Sequence, residues 1–177
     1  MAIQIGAKPD SGFDDPIGML QDCHRRIERF LNILWIVADH AAGSALTDEE
    51  TPAVQAALHY FRTGGQRHTA DEEESLYPRL WEAWGCEASE QLGRLEGDHL
   101  QAGSLHAEVE ALYTKWLGAG LLNMEDERRL LFATTQLKSL YEGHIRLEEQ
   151  IVFPRAVQTL DRQAIECMGR EFRARRE

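Results

Sequence analysis

Two twelve-residue stretches of this chain obey one rule. HTADEEESLYPR starts at His68 and HIRLEEQIVFPR starts at His144, 76 residues later; both read H-x3-E-E-x3-[YF]-P-R. Two isolated histidines repeat at nearly the same offset, since His24 and His99 lie 75 residues apart. From His24 to His68 is 44 residues and from His99 to His144 is 45. Such a chain is two halves of one plan, each supplying a lone histidine and then a His-x3-Glu. Any fold it adopts must bring the halves together about an approximate two-fold axis.

The periodicity says which fold. No stretch alternates apolar and polar residues for long, so no strand is expected. Apolar residues recur instead at three- and four-residue spacing. One stripe runs Ile17, Leu20, His24, Ile27, Leu31, Leu34 and Ala38; a second runs Val54, Leu58, Phe61, Gly64–Gly65, His68, Glu72 and Leu76. A third holds Leu92, Leu95, His99, Ala102, His106, Val109, Tyr113 and Trp116, and a fourth Leu130, Thr134, Leu137, Tyr141, His144, Glu148 and Ile151. Asp14 or Asp15 with Pro16 suits the first helix start, Thr51-Pro52 the second, and the region of Asn123 the fourth. The expectation is an all-α, up-down-up-down four-helix bundle over about residues 14–157, with a short helix over about 161–175 capped by Asp161. The 177 residues then make one domain behind a loose segment of about 12 residues.

The bundle puts one histidine of each helix into its seam. The same geometry sorts the acids. A residue four after a histidine lies about 40° round the helix from it, and one five after lies about 140° away. Glu72 and Glu148 therefore share the faces of His68 and His144. Asp71 and Glu74 are expected to point to water, and Glu73 and Glu149 to serve as solvent or outer-layer groups. Two carboxylates in a core without partners would each cost several kcal/mol, and no lysine or arginine lies on the stripes to pair them. A bound cation removes the difficulty. Imidazole with carboxylate suits iron, manganese or zinc and is too rich in nitrogen for calcium. Four histidines and two glutamates exceed one tetrahedral zinc and suit two ions, each with two histidines, both glutamates bridging. A solvent-derived bridge would leave room for O2, NO or peroxide. The competing reading is a bundle whose seam histidines are merely hydrogen-bonded.

Other features bound the function. The formal charge of −11 repels nucleic acid. The basic end, REFRARRE, most simply complements the last helix terminus. No apolar run approaches a membrane span. Cys23, Cys86 and Cys167 form no C-x-x-C pair and read as free thiols in a reducing cytoplasm. His106, two turns past His99, is expected as a core or channel histidine, His59 as exposed, His40 as a helix-end residue, Tyr113 and Tyr141 as core aromatics, and Trp35 as a core plug. Gly64, Gly65 and Gly103 either pack helices closely or leave space beside the metals.

The doubled H-x3-E-E with its trailing aromatic-Pro, and the four-histidine order, resemble the hemerythrin-like, or HHE cation-binding, domain. The resemblance runs from DPIGMLQDCHRRI through FPRAVQTL. It implies a four-helix bundle around an oxo- or hydroxo-bridged pair of irons. Carried over by motif, the ligands would be His24, His68, Glu72, His99, His144 and Glu148. Oxygen-carrying hemerythrins have a histidine four after the third-helix ligand and an H-x4-D on the fourth. Here those positions are Gly103 and the Glu148–Glu149 pair. The pattern looks closer to relatives implicated in iron sensing or in repair of nitrosatively damaged iron–sulfur centres, without the cysteine-bearing N-terminal segment of the repair proteins. The implied function is binding or sensing of O2, NO or iron. The alternative is an enzyme or repair protein that reduces peroxide or NO, or delivers iron. A protein partner and the choice between monomer and homodimer are not specified by these residues.

Overall fold

The computed structural model describes residues 10–177, so the expected loose start lies largely outside the described residues. Every regular element among them is a helix. The first rod is α1, Pro16–Ala41. Asp15 caps it by accepting the Gly18 N–H at 3.0 Å, and Pro16 fills the first turn, where its missing N–H costs nothing. Ala42 and Gly43, both at positive φ, end it. A Cβ on Gly43 would come within 2.9 Å of the Leu122 carbonyl oxygen, so only glycine lets these two loops meet there.

The second rod is made of α2 (Glu50–Tyr60), α3 (Gln66–Asp71) and α4 (Tyr77–Trp84), joined by π-helical turns at Phe61–Gly65 and Glu72–Leu76. The third is α5, Ser89–Ala119, stopped by Gly120 at φ 76°. The fourth is α6 (Met124–Leu147), a π turn at Glu148–Val152, and α7 (Phe153–Thr159). Asn123 caps α6 through the N–H groups of Glu125 and Asp126. The rods α1, α2, α5 and α6 pack in a ring, each against the next. That is the expected up-down-up-down bundle. The short helix α8, Arg162–Ala174, is capped by Asp161 and packs on α1 and α3.

Three local expectations change. The second rod starts before Thr51-Pro52. Thr47 Oγ1 accepts the Glu50 N–H at 3.1 Å, and the Glu50 carboxylate accepts the Thr47 N–H at 2.9 Å. This reciprocal capping box satisfies two donors at once and leaves Pro52 to the first turn. Trp35 is no core plug: it is half-buried at the rim, its indole N–H donating to Thr135 Oγ1. Asp71 does not face water. It is 1% exposed and holds two arginines from the chain end, Arg175 at 2.9 Å and Arg176 at 2.6 Å. Helical spacing could not foresee this, because the arginines arrive from α8, which covers that face. Arg175 also reaches Glu74 and Ser75 Oγ. The basic end does complement its helix, through Arg176 and the Phe172 carbonyl, but its larger role is to pair Asp71.

The core is in two parts. One apolar cluster gathers Ile27, Leu34, Val54, Leu58, Val109, Tyr113, Trp116, Leu130 and Leu137. The other gathers Ile17, Leu20, Leu76, Tyr77, Leu80, Leu92, Leu95, Phe153, Met168 and Phe172. Burying each such side chain contributes about 1.5–3 kcal/mol. Along every rod the switch from one cluster to the other falls at the singled-out residues: His24 on α1, His68 and Glu72 on the second rod, His99 on α5, His144 and Glu148 on the fourth. The polar groups form one layer between two apolar ones.

Candidate metal centre

Two of the three π turns begin at Glu72 and Glu148. Such turns, which shift the register of the rod by a residue, often mark functional sites. Glu72 and Glu148 stand at the first position of each turn. Both are 0% exposed. His24, His68 and His144 are 1–2% exposed, and the His99 side chain is 6% exposed.

The six side chains meet. Glu72 Oε1 lies 3.2 Å from His68 Nε2 and 3.8 Å from His24 Nε2, and its Oε2 lies 3.3 Å from His99 Nε2. Glu148 Oε2 lies 3.0 Å from His24 Nε2 and 3.3 Å from His144 Nε2. Donor atoms within 4.8 Å of one another form two groups: His24, His68, Glu72 and Glu148; and Glu72, His99 and His144.

These approaches are close but not aligned as hydrogen bonds. Nε2 of His24, His68 and His144, both oxygens of Glu72 and Oε2 of Glu148 are buried with no hydrogen-bond partner. That concentration of orphaned polar atoms is costly unless something positive sits among them. The outer layer explains how they came to face one another. Glu149 Oε1 lies 2.9 Å from His24 Nδ1, and Glu73 Oε1 lies 2.8 Å from His99 Nδ1. A carboxylate only accepts, so each Nδ1 carries a hydrogen, and it is Nε2 that faces inward, offering a lone pair once it gives up its own proton. The pairing crosses between halves, each half's second glutamate orienting the other half's lone histidine. Glu73 and Glu149 are thus outer-layer groups, each still about two-fifths exposed. His144 Nδ1 has Asp98 at 3.6 Å. His68 Nδ1 has no partner, since Cys23 stands before His24 where Asp98 stands before His99.

In the metal-free chain, protons take the place of a cation. Burial disfavours a charged His24, but Glu148, Glu149 and Glu72 outweigh it and raise its pKa well above the ordinary value. His99 is raised to about 9, with Glu72 and Glu73 overcoming burial. His68 goes the other way, to about 4, because burial dominates. Burial pushes Glu148 up, but His144 and His24 more than reverse this and hold it well below the usual carboxylate range. A donor set of imidazole lone pairs and anionic oxygens, lined with orphaned atoms, fits transition-metal cations such as iron.

Sequence reasoning missed Asp98 and the two aromatics of the doubled motif, Tyr77 and Phe153, which touch this layer. The Tyr77 hydroxyl donates to Glu148 Oε1 at 2.8 Å, fully buried. The signal was present as the [YF] position of the doubled motif. Tyr77 stacks on His99 and Phe153 stacks on His24, both at 11° between planes. Of the aromatics singled out beforehand, Tyr141 stands edge-on to His144 with ring centroids 6.1 Å apart, and Tyr113 lies within the first apolar cluster. The Tyr113 hydroxyl donates to the Leu34 carbonyl. The Tyr141 hydroxyl lies 3.1 Å from His106 Nε2, and burial lowers the pKa of His106 to about 4. His40 and His59 are exposed.

Beside the layer lies a cavity of about 400 Å³ lined by Phe61, Gly65, His99, Gly103, His106 and Tyr141, among others. A Cβ on Gly103 would meet nothing within 4 Å, whereas one on Gly64 would strike the Tyr60 ring at 2.7 Å. Gly103 therefore borders open space and Gly64 close packing. The three cysteines are unpaired, and among the described residues no helix is long and apolar enough to cross a membrane.

Comparison with known proteins agrees with this geometry. A Haemophilus influenzae protein described as uncharacterised is 26% identical over 170 residues, covering 93% of this chain and 92% of that protein. The profile of the hemerythrin HHE cation binding domain matches residues 15–156. That span takes in the first three rods, the fourth as far as residue 156 and both copies of the doubled motif, and the chain belongs to the hemerythrin HHE cation-binding domain family.

Proposed function

We propose that this chain is a non-haem di-iron protein that binds or senses a small ligand, O2 or NO, in a reducing cytoplasm. The observation that supports this reading is the buried layer of orphaned imidazole and carboxylate atoms. His24, His68, His99, His144, Glu72 and Glu148 would hold the two ions, and manganese or zinc would satisfy the same donors. When bound, iron supplies a redox-active centre with affinity for diatomic ligands. The chain's own residues do the rest. Glu149 and Glu73 fix the rings of His24 and His99. The apolar clusters above and below exclude water. The cavity beside His99 admits a small molecule.

Sensing follows from linkage. The carboxylates and imidazoles crowd one another without a cation, so stability depends on what is bound. A second reading, an enzyme that reduces peroxide or NO or passes iron to another protein, draws on the cavity volume, which exceeds what a diatomic needs. The test is addition of O2 or NO to the anaerobically reduced, iron-loaded protein, followed by absorption. A saturable spectral change without consumption of added reductant fits the binding reading. Sustained reductant consumption replaces it with the enzyme, and no response to either gas rejects both ligands.

A further inference from the structure

The two halves of the site match closely but differ at the motif's aromatic position, besides the exchange of Cys23 for Asp98. Each lone histidine is oriented by the other half's second glutamate, and each carries a stacked aromatic ring from the motif's [YF] position. At that position the first half has Tyr77 and the second has Phe153. Only Tyr77 carries a hydroxyl, and it is spent on Glu148 Oε1. Glu148 is left with a single free oxygen, Oε2, whereas both oxygens of Glu72 are free.

The free atoms divide unequally. Glu72 faces His68 and His24 with Oε1 and His99 with Oε2. Glu148 Oε2 lies 3.0 Å from His24 Nε2 and 3.3 Å from His144 Nε2, but donor atoms all within 4.8 Å of one another gather it with His24, His68 and Glu72, giving one group of four donors and another of three. The group of three contains His99, the residue that lines the cavity.

We infer that Tyr77 is a positioning residue that makes the two metal positions inequivalent. By holding Glu148 Oε1 in a hydrogen bond it weakens that oxygen as a metal donor and leaves Oε2 the stronger one. The His24–His68 position is filled first, by four protein donors. The His99–His144 position is the poorer one, with three, and it borders the cavity. This inference rests on the metal-centre reading above, and it assigns the asymmetry to one hydroxyl rather than to the ligands themselves.

The experiment is an anaerobic titration of metal-free protein with cobalt(II), read by its visible absorption bands. It compares the wild-type chain with Tyr77→Phe and Phe153→Tyr, and records the thermal midpoint of each metal-free protein. Loss of an outer partner of a metal ligand typically costs roughly 10–100-fold in affinity. The wild-type chain should take two equivalents in two steps about tenfold or more apart. Tyr77→Phe keeps the stacked ring and frees Glu148 Oε1. It should close the gap between the steps by about tenfold, and the metal-free protein should still unfold in one transition, at a midpoint lowered by the loss of one buried hydrogen bond. Phe153→Tyr sets a second hydroxyl beside Glu72, which belongs to both groups, and should weaken both steps. Two equal steps in the wild-type chain, or a gap that Tyr77→Phe leaves unaltered, overturns the role of Tyr77 while the metal centre stands. Absence of cobalt binding in the wild-type chain overturns both.

Discussion

Truncating Arg175 and Arg176 together isolates the carboxylate of Asp71. That group is 1% exposed and holds both guanidinium groups, while the arginines are 19% and 22% exposed. Stranding one partner of a buried pair costs about 3–5 kcal/mol. The lower end applies here, because the space vacated by partly exposed arginines admits water to Asp71. For a chain of this size, about 3 kcal/mol corresponds to roughly 6–12 °C in the thermal midpoint. Arg175→Ala/Arg176→Ala should therefore lower the midpoint of the metal-free protein by that amount. Adding Asp71→Asn to the double variant removes the stranded charge and should recover more than half of the loss. The assay is circular dichroism at 222 nm against temperature, repeated in urea. A fall below about 1 kcal/mol would place the cluster among ordinary surface ion pairs. Equal stability with and without Asp71→Asn would refute the stranded-charge reasoning itself.

Four further outcomes follow from the site. Glu72→Ala or Glu148→Ala should abolish binding of a metal pair, measured as metal per chain; two metals in both variants would refute the bridging layer. Glu73→Ala and Glu149→Ala should keep both metals but weaken them by roughly 10–100-fold, since each frees one imidazole ring. His106 has a folded pKa of about 4 against an ordinary 6.5, so the unfolded chain binds its proton first as pH falls. That contribution is whole at pH 7 and is lost towards pH 4. His106→Gln should therefore reduce the drop in unfolding free energy between pH 7 and pH 5 by about 1–2 kcal/mol, and an unchanged pH slope would refute it. Chelation should lower the thermal midpoint of the loaded protein. Free metal at a hundredfold over Kd contributes about 2.7 kcal/mol per site, and a midpoint indifferent to chelator would mean no metal is linked to folding.

The bundle was legible because every rod carries its apolar stripe in order and three helix starts carry their caps. Asp15-Pro16, Asn123 and Asp161 marked real starts. The six convergent residues were legible because the motif occurs twice. What stayed hidden depends on contacts distant in sequence. Asp71 looked solvated until α8 delivered Arg175 and Arg176 onto it. Glu73 and Glu149 looked peripheral because a helix points them aside, yet the facing half supplies a histidine to each. The π turns at Glu72 and Glu148 break the 3.6-residue period that revealed the helices, so that period could not announce them. Tyr77 was in view as half of a [YF] position, but its difference from Phe153 matters only once Glu148 lies 2.8 Å from its hydroxyl.

Under the proposed function, this layer holds two irons. The most direct test is iron and zinc content per chain on protein purified from iron-supplied cells, with an absorption spectrum before and after exposure to air. Two irons per chain, with near-ultraviolet charge-transfer bands of a bridged pair, is the predicted result. One zinc per chain, or no metal and no bands, would contradict it.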